Sequence, residues 1–284
     1  MSDLQNKYFE TVLRANTYKT VLSLIYYMNS TDRYIKNFDA VFYEVSLNGT
    51  INNVPIDSIT QKKIMENNTL NNWTRKIINS SNDTLNVGTT IIIKNVSLYQ
   101  TSPWSLESTA SINFTVKSNV AVWEKSVTVT TSMSIEGLYD PYYLVNTGDI
   151  YSNQIKKSSV EFNQWNLTKT REHLRNGTYV HWEQSNAPSF LMRFVNDTTN
   201  SSCCGIESLV NPNKLSMSDL NESYIDYQFW NSTYTSTGQC SRLLYNITNP
   251  LTGAGLWDEF RYFKLDIEHV VLYNITSEYL TKTC

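Results

Sequence analysis

Charged side chains are scarce in this 284-residue sequence, and no region concentrates them. Aspartate, glutamate, lysine and arginine make up 17% of the chain, against about 25% in ordinary soluble domains. The longest basic runs are the pairs Lys62-Lys63 and Lys156-Lys157, and the net charge is −3. Since nucleic-acid binding requires a concentrated positive surface, we expect neither DNA nor RNA as a partner.

Long apolar runs and the short motifs of common enzymes are also missing. No stretch approaches the roughly 18 consecutive apolar residues of a membrane-spanning helix, and the first residues do not have the pattern of a signal peptide. The chain has only nine glycines, and it has no phosphate-binding loop, Gly-x-Ser-x-Gly elbow or His-Glu-x-x-His motif. We therefore predict a protein that is not an enzyme and that uses no cofactor.

Two groups of titratable residues remain as candidates for chemistry. The first comprises Glu172, His173, His181 and Glu183, and the second comprises Asp266, Glu268 and His269. The spacing of the first group matches no metal motif. On the strand expected around the second group, Glu268 and His269 would face opposite sides. We predict no catalytic and no metal site, although a glycosidase built from carboxylates distant in sequence remains an alternative.

Uncharged polar residues take the place of the missing charges. Asn, Ser and Thr occur 32, 31 and 31 times, and Asn-x-Ser/Thr sequons occur 16 times, more than twice the number expected by chance. An AT-rich genome would raise the Asn content, but it would raise the Lys content equally, and Lys occurs only 15 times. We therefore interpret the sequons as N-glycosylation sites. They lie at Asn29, Asn48, Asn67, Asn72, Asn79, Asn82, Asn95, Asn113, Asn166, Asn176, Asn196, Asn200, Asn221, Asn231, Asn246 and Asn274.

Glycosylation predicts an extracellular or cell-surface location, and it explains how so few charges can solvate the surface. Asn95, Asn113 and Asn274 lie in alternating polar and apolar runs, which predicts strands with one glycosylated face and one buried face. A surface covered by sugar on most sides leaves little room for a catalytic cleft. The sequons therefore favour a structural or display role.

The four cysteines are Cys203, Cys204, Cys240 and Cys284. An even number is typical of disulfides in an oxidising compartment, and their spacing does not provide two close pairs of zinc ligands. Because a bond between adjacent cysteines requires a distorted peptide, we expect Cys203 and Cys204 each to bond to one of the other two. Which pairs with which is left open, and free structural thiols are the alternative.

The periodicity of the chain predicts an α+β fold that is mainly β, with an N-terminal amphipathic helix on an antiparallel sheet or sandwich head. Residues 3–28 have helical spacing of apolar side chains. We expect the following elements: a strand at 40–47 that ends in an Asn48-Gly49 turn, helical segments in 56–80, and a three-stranded meander at 89–101, 106–117 and 120–135.

The second half of the chain is more mixed. We expect a strand at 179–183, a short helix at 189–194, and a long apolar-polar stretch at 258–273. The predicted organisation is a helix at 1–30, a β-rich domain at 31–150 and a second β-rich or mixed region at 151–284. The alternative is that this second region is continuous with the first.

Three short segments resemble archaeal surface proteins of the type IV pilin-like class. They read SIEGLYDP at 134–141, APSFLMRF at 187–194 and GIESLV at 205–210, with Trp104 upstream. The resemblance implies export, a β-rich exposed head, and assembly or anchoring through an apolar N-terminal helix. Residues 3–28 would then continue that helix out of the membrane, and the membrane would be contacted only through an anchor that this sequence lacks.

The leading hypothesis is therefore a non-catalytic surface glycoprotein, either a pilin-like subunit or an anchored ectodomain, whose partners are other surface or filament subunits. A second hypothesis is a carbohydrate-binding or adhesion module that uses some of the 19 Tyr and seven Trp residues to bind glycans. A third is a secreted hydrolase centred on Glu172, His173, His181 and Glu183.

Overall fold

The computed structural model describes residues 2–85, 88–148, 151–184, 186–215, 222–231 and 243–283. The chain forms two compact units, Met1–Ile135 and Glu136–Cys284. The division falls directly after the last strand of the meander, whereas the sequence pattern placed it near residue 150. The N-terminal helix belongs to the first unit.

The N-terminal helix α1 spans Ser2–Thr31, which confirms the predicted helix. Its buried side chains include Val12, Val21 and Met28, which pack into the core of the first unit. Near its start, the ring of Phe9 lies 5.0 Å from that of Phe114 on the meander. An aromatic contact of this kind adds to the apolar burial that holds the helix on the sheet.

Four helices and a small hairpin make up the first part of this unit. After α1 come α2 at Phe38–Asn48, β1 at Thr50–Ile51, β2 at Val54–Pro55, α3 at Ile56–Thr60 and α4 at Leu70–Leu85. The helical segments expected in 56–80 are confirmed by α3 and α4.

The strand predicted at 40–47 is wrong, because those residues belong to α2. Phe38, Phe42 and Val45 are buried, and their spacing of four and three residues matches one helix face. The predicted hairpin turn at Asn48-Gly49 is instead the end of this helix. Gly49 has φ +73°, and its N–H donates to the carbonyl of Val45 at 2.8 Å, as is typical of a left-handed glycine cap.

The predicted meander is confirmed. Its strands are β3 at Gly88–Ser102, β4 at Ser105–Lys117 and β5 at Val122–Ser134, and they form an antiparallel sheet in the order β3-β4-β5. One face is buried through side chains such as Leu106, Ala110 and Val129. The other face of β4 and β5 carries mostly Ser, Thr and Asn. The alternation follows from the two-residue period of a strand.

The second unit consists of short elements joined by long loops. Its helices are α5 at Pro141–Thr147, α6 at Leu167–Asn176, α7 at Phe190–Arg193, α8 at Asp226–Phe229 and α9 at Ile267–Leu272. Strands β6 at Leu244–Ile247, β7 at Lys264–Asp266 and β8 at Leu280–Lys282 form an antiparallel sheet in the order β7-β6-β8. Single turns of 3-10 helix lie at Phe162–Gln164, Asp258–Phe260 and Ser277–Tyr279.

The fold is a mixture of helix and antiparallel sheet, 38% helical and 26% strand, so the prediction of a mainly β fold is wrong while the α+β class holds. A sandwich head is not confirmed. The helix predicted at 189–194 is confirmed by α7, whereas the strand predicted at 179–183 is reduced to isolated bridges at Tyr179 and Val180. Among the described residues, no helix has the length and apolarity needed to cross a membrane.

Candidate functional site

The first group of titratable residues does not converge. Glu172 is exposed and pairs with Lys169 at 2.9 Å, and Glu183 is exposed. His181 places Nδ1 2.7 Å from the carbonyl oxygen of Gly205. His173 is buried, with Nδ1 2.5 Å from the hydroxyl of Thr178. The residues therefore occupy separate environments, and only His173 belongs to the interior of the unit.

The second group is rearranged because Asp266–Leu272 does not continue as a strand. Asp266 caps α9: its Oδ1 accepts from the backbone N–H of His269 at 2.9 Å and lies 2.7 Å from His269 Nδ1. On the other side of the ring, Nε2 lies 3.1 Å from Oε2 of Glu207. Glu268 points to solvent. The expected strand geometry is therefore wrong here, and the imidazole is held between two buried carboxylates.

The two carboxylates determine the charge of this histidine. Burial by itself would lower the pKa of His269, but the charge of Glu207 and the hydrogen bond that the ring donates to Asp266 outweigh it and raise the pKa to about 10. Burial likewise acts to raise the pKa of Asp266, and the hydrogen bond and charge of His269 outweigh it and lower the pKa to about 2. Since a general base must be unprotonated near the working pH, His269 is suited to an ion pair and not to proton abstraction.

A second buried cation lies between two other carboxylates. Arg193 donates from one terminal nitrogen to Asp140 at 2.7 Å and to Asp226 at 2.8 Å, and all three side chains have no exposed surface. Its other terminal nitrogen donates to the carbonyl of Ile206. Burial raises the pKa of Asp226 to about 6, against the opposing effect of Arg193. The cluster therefore contains two acids for one permanent cation.

One stretch of backbone connects the two clusters. The carbonyl of Ile206 accepts from Arg193, the carboxylate of Glu207 contacts His269, and Ser208 donates its N–H and hydroxyl to Asp226 at 3.0 and 2.8 Å. Removing one partner from a buried polar network of this kind strongly destabilises the fold. The network therefore holds together a unit whose regular strands are short.

Aromatic groups enclose Glu207 and His173. Trp182 donates its indole N–H to Glu207 at 2.8 Å, and the Tyr273 hydroxyl lies 3.3 Å from Glu207 and 3.3 Å from His173 Nε2. The Trp165 ring contacts those of His173, Trp182 and Tyr273 edge-on or tilted, at 5.0 to 5.5 Å between centroids. Burial within this shell lowers the pKa of His173 to about 4, with a smaller opposing effect of Glu207.

The network residues from the middle of the chain were not among the candidates that sequence reasoning selected. Asp140, Arg193 and Glu207 lie within the three segments that carry the pilin-like resemblance, one in each. In each case a charged residue interrupts an apolar run. That pattern was the available signal, because a charge in an otherwise buried segment is stable only when it is paired. Among the described residues, no group of three or more His, Cys, Asp or Glu side chains is arranged to hold a metal ion.

The cysteine prediction requires a correction. Cys203 and Cys204 are bonded to each other, so the expected bonds from this pair to Cys240 and Cys284 are wrong, and those two residues lie outside the described part of the chain. Cys204 is fully buried, whereas Cys203 is exposed.

We expect peptide mapping to recover Cys203 and Cys204 in one peptide that is two hydrogens lighter than its reduced form. The change C240S should leave this peptide unaffected, because the vicinal bond does not involve Cys240. The measurement is mass spectrometry of a digest prepared without reductant and with free thiols blocked. A peptide that joins residue 203 or 204 to either distant cysteine would contradict the vicinal bond.

The described sequon asparagines all reach the surface. Those that are exposed are Asn48, Asn67, Asn79, Asn82, Asn95, Asn166, Asn176, Asn196, Asn200 and Asn274. Those that are partly exposed are Asn29, Asn72, Asn113, Asn231 and Asn246. Asn221 lies outside the described residues. By contrast, the buried asparagines Asn16, Asn153 and Asn211 are not in sequons.

Comparison with protein-family models, with curated proteins and with solved structures finds no match to this chain.

Proposed function

We propose that the chain is a non-catalytic, N-glycosylated module of a cell surface, a pilin-like subunit or anchored ectodomain with a role in surface structure or adhesion. The distribution of asparagines carries this proposal. A glycan can be attached only to an asparagine that lies at the surface, and the described sequon asparagines are all exposed or partly exposed. The three buried asparagines satisfy no sequon, and eleven described asparagines outside sequons also reach the surface.

The polar face of the meander supports the same proposal. Asn95 on β3 and Asn113 on β4 point to the outer face, where Asn95 lies opposite Ser111, two residues from Asn113 along β4. Two glycans at these positions would cover neighbouring parts of one sheet surface. That surface is rich in Ser and Thr and carries few charges, so sugar would supply most of its solvation.

The buried clusters also support a structural role. The ionisable side chains of these clusters include Arg193 and His269. Each forms ion pairs or hydrogen bonds with buried carboxylates in the interior. A module displayed outside the cell depends on such internal bonding for persistence, because it has no access to repair. Under this proposal the network stabilises the fold that carries the glycans.

We expect glycopeptides at exposed sequons when the protein is isolated from a surface that carries out N-glycosylation. Occupancy should be lower at Asn231, whose amide already donates to Thr198 at 3.0 Å, and at Asn246, whose carbonyl oxygen is buried. Site-resolved mass spectrometry measures both. The change S97A should abolish modification of Asn95, because it removes the sequon and leaves the asparagine in place.

The matched control is T101A, which removes a hydroxyl from the same face of the same strand outside any sequon. It should leave the occupancy of Asn95 unchanged. Recovery of the protein with every sequon unmodified would contradict the proposal. Equal loss of occupancy in S97A and T101A would show that the sequon is not what is recognised.

A further inference from the structure

The two edge strands of the meander differ in the regularity of their pairing with β4. Along β3 the register shifts between Ile93 and Asn95, an exposed Lys94 lies at the shift, and α2 and α4 contact the strand. Along β5 the pairing with β4 is regular from Val122 to Ser134. Bulges, lysines and covering elements are the usual means by which an edge is kept from pairing with another chain. The β3 edge has all three. Helix α1 contacts β5 and Lys125 lies on it, so the feature that distinguishes the β5 edge is its unbroken register.

Two hydrogen bonds determine which backbone groups of β5 face outward. Ile135 donates to the carbonyl of Trp104 at 3.1 Å, and at the other end Ser118 donates to Ala121 at 2.9 Å. In an antiparallel pair, residues directed toward the partner alternate with residues directed away from it. Because residues 121 and 135 bond to β4, the backbone groups of all odd-numbered residues of β5 face β4. The N–H and C=O groups of the even-numbered residues face the open edge.

The even positions from Val122 to Ser132 form a continuous row along this edge. Their side chains are exposed, and the described residues offer no hydrogen-bond partner to their outward backbone groups. The segment has no proline or glycine, and most of its side chains are β-branched or Ser. An open edge of this length and composition is a template for another strand.

The central five residues of β5, 126–130, are close to symmetric about Thr128. In antiparallel self-pairing centred there, Val127 lies opposite Val129 of the second copy and Ser126 lies opposite Thr130. Farther out, Trp123 lies opposite Met133. Glu124 and Lys125 meet Ser132 and Thr131, so no like charges are opposed. The register also places outward-facing even positions opposite one another, which is the arrangement of a hydrogen-bonded pair.

We propose that β5 is a self-association interface through which two copies of this chain join their meanders into one six-stranded antiparallel sheet about a two-fold axis at Thr128. The near-symmetry of the strand's centre favours a second copy over an unrelated strand, because an isologous contact must be complementary to itself. Neither sequon of the meander lies on β5, although Asn113 of β4 lies opposite Ser126 and accepts a hydrogen bond from its hydroxyl at 2.9 Å. The proposal is independent of the proposed function.

The test is the oligomeric state of the full chain, measured by sedimentation velocity over a wide range of concentration. We expect a monomer–dimer equilibrium in the unmodified protein. The change T128P removes an outward N–H and should raise the dissociation constant at least about tenfold while the far-ultraviolet spectrum is retained. The change V129P removes an N–H that bonds to β4, and it should disrupt the fold of the unit instead.

A charge exchange tests the register. In T128K, and separately in T128E, the two-fold axis places like charges opposite each other, and association should weaken. Mixing T128K with T128E should restore the dimer as a heterodimer. The matched controls are T109K and T109E, at the position next to Thr130 on β4 and on the same face, and they should leave association unchanged.

Three results would overturn the proposal. The first is a protein that remains monomeric at every concentration. The second is a dimer that T128P does not weaken while the fold is retained, since the contact would then lie elsewhere. The third is failure of the T128K and T128E mixture to dimerise when each variant alone is folded, because this would exclude the proposed register.

Discussion

The change R193M is expected to destabilise the second unit by about 3–5 kcal/mol, the usual cost of removing one partner from a buried ion pair. Arg193, Asp140 and Asp226 have no exposed side-chain surface. Without the guanidinium, two carboxylates would lie within the core with no cation to compensate them. Methionine fills much of the volume, so the loss measures mainly charge and hydrogen bonding. Denaturation in urea, followed by the fluorescence of the buried Trp165 and Trp182, measures the effect.

Two matched variants separate the buried charge from other effects. R171M makes the same substitution at a partly exposed ion pair with Glu259, 3.1 Å away, and it should cost at most about 1 kcal/mol. D226N should cost less than R193M, because it leaves Arg193 paired with Asp140 alone. Equal effects of R193M and R171M would show that the buried cluster is not an important source of stability.

Regular elements of the first unit were largely predictable from the sequence. Residues 3–28 and the three strands of the meander have the periodicities of a helix and of half-buried strands over long stretches. The strand assigned to 40–47 failed because β-branched and aromatic residues there suggested a strand, although Phe38, Phe42 and Val45 have helical spacing. Burial on one face of a helix outweighed local propensity.

The second unit was much less predictable, and the reason is physical. Its core is organised by polar contacts between residues far apart in sequence, such as Arg193 with Asp140 and His269 with Glu207. Periodicity carries no information about such contacts. The sequence did show charges within apolar runs, and it identified His173 and His269 as titratable candidates. It did not show which carboxylates surround them, because that depends on how the loops fold.

The same distinction holds for the surface sites. The exposure of the sequon asparagines was predictable, because the polar side chain of asparagine is mostly found at the surface. The bond between Cys203 and Cys204 was not, because the general cost of joining adjacent residues was weighed without knowledge that Cys204 is buried.

The second large effect concerns pH, since the two buried histidines should respond in opposite directions. The pKa of His173 in the fold is about 4, below its ordinary value of 6.5. As the pH falls from 6.5 to 4, the unfolded chain binds a proton that the folded chain does not, so the contribution of His173 to stability is lost. The loss amounts to about 3 kcal/mol for a shift of this size.

The pKa of His269 is about 10, above its ordinary value. Its contribution is complete below pH 6.5 and is lost as the pH rises toward 10, because the unfolded chain releases the proton first. The pKa of Asp226 in the fold is about 6. Below this pH the folded chain binds a proton at Asp226 more readily than the unfolded chain does, so stability rises and partly cancels the loss from His173. Unfolding curves of the unmodified protein alone therefore underestimate the effect of His173.

The difference in unfolding free energy between the unmodified protein and H173Q isolates that contribution, because Asp226 is common to both. We expect this difference to shrink by about 3 kcal/mol between pH 7 and pH 4.

Nuclear magnetic resonance offers a direct check, because the chain has only three histidines. The ring of His173 should stay neutral to about pH 4, and that of His269 should stay protonated to about pH 10. Titration of both rings near pH 6.5 would mean that neither is held in the buried network, and the structural role assigned to Glu207 between them would fail with it.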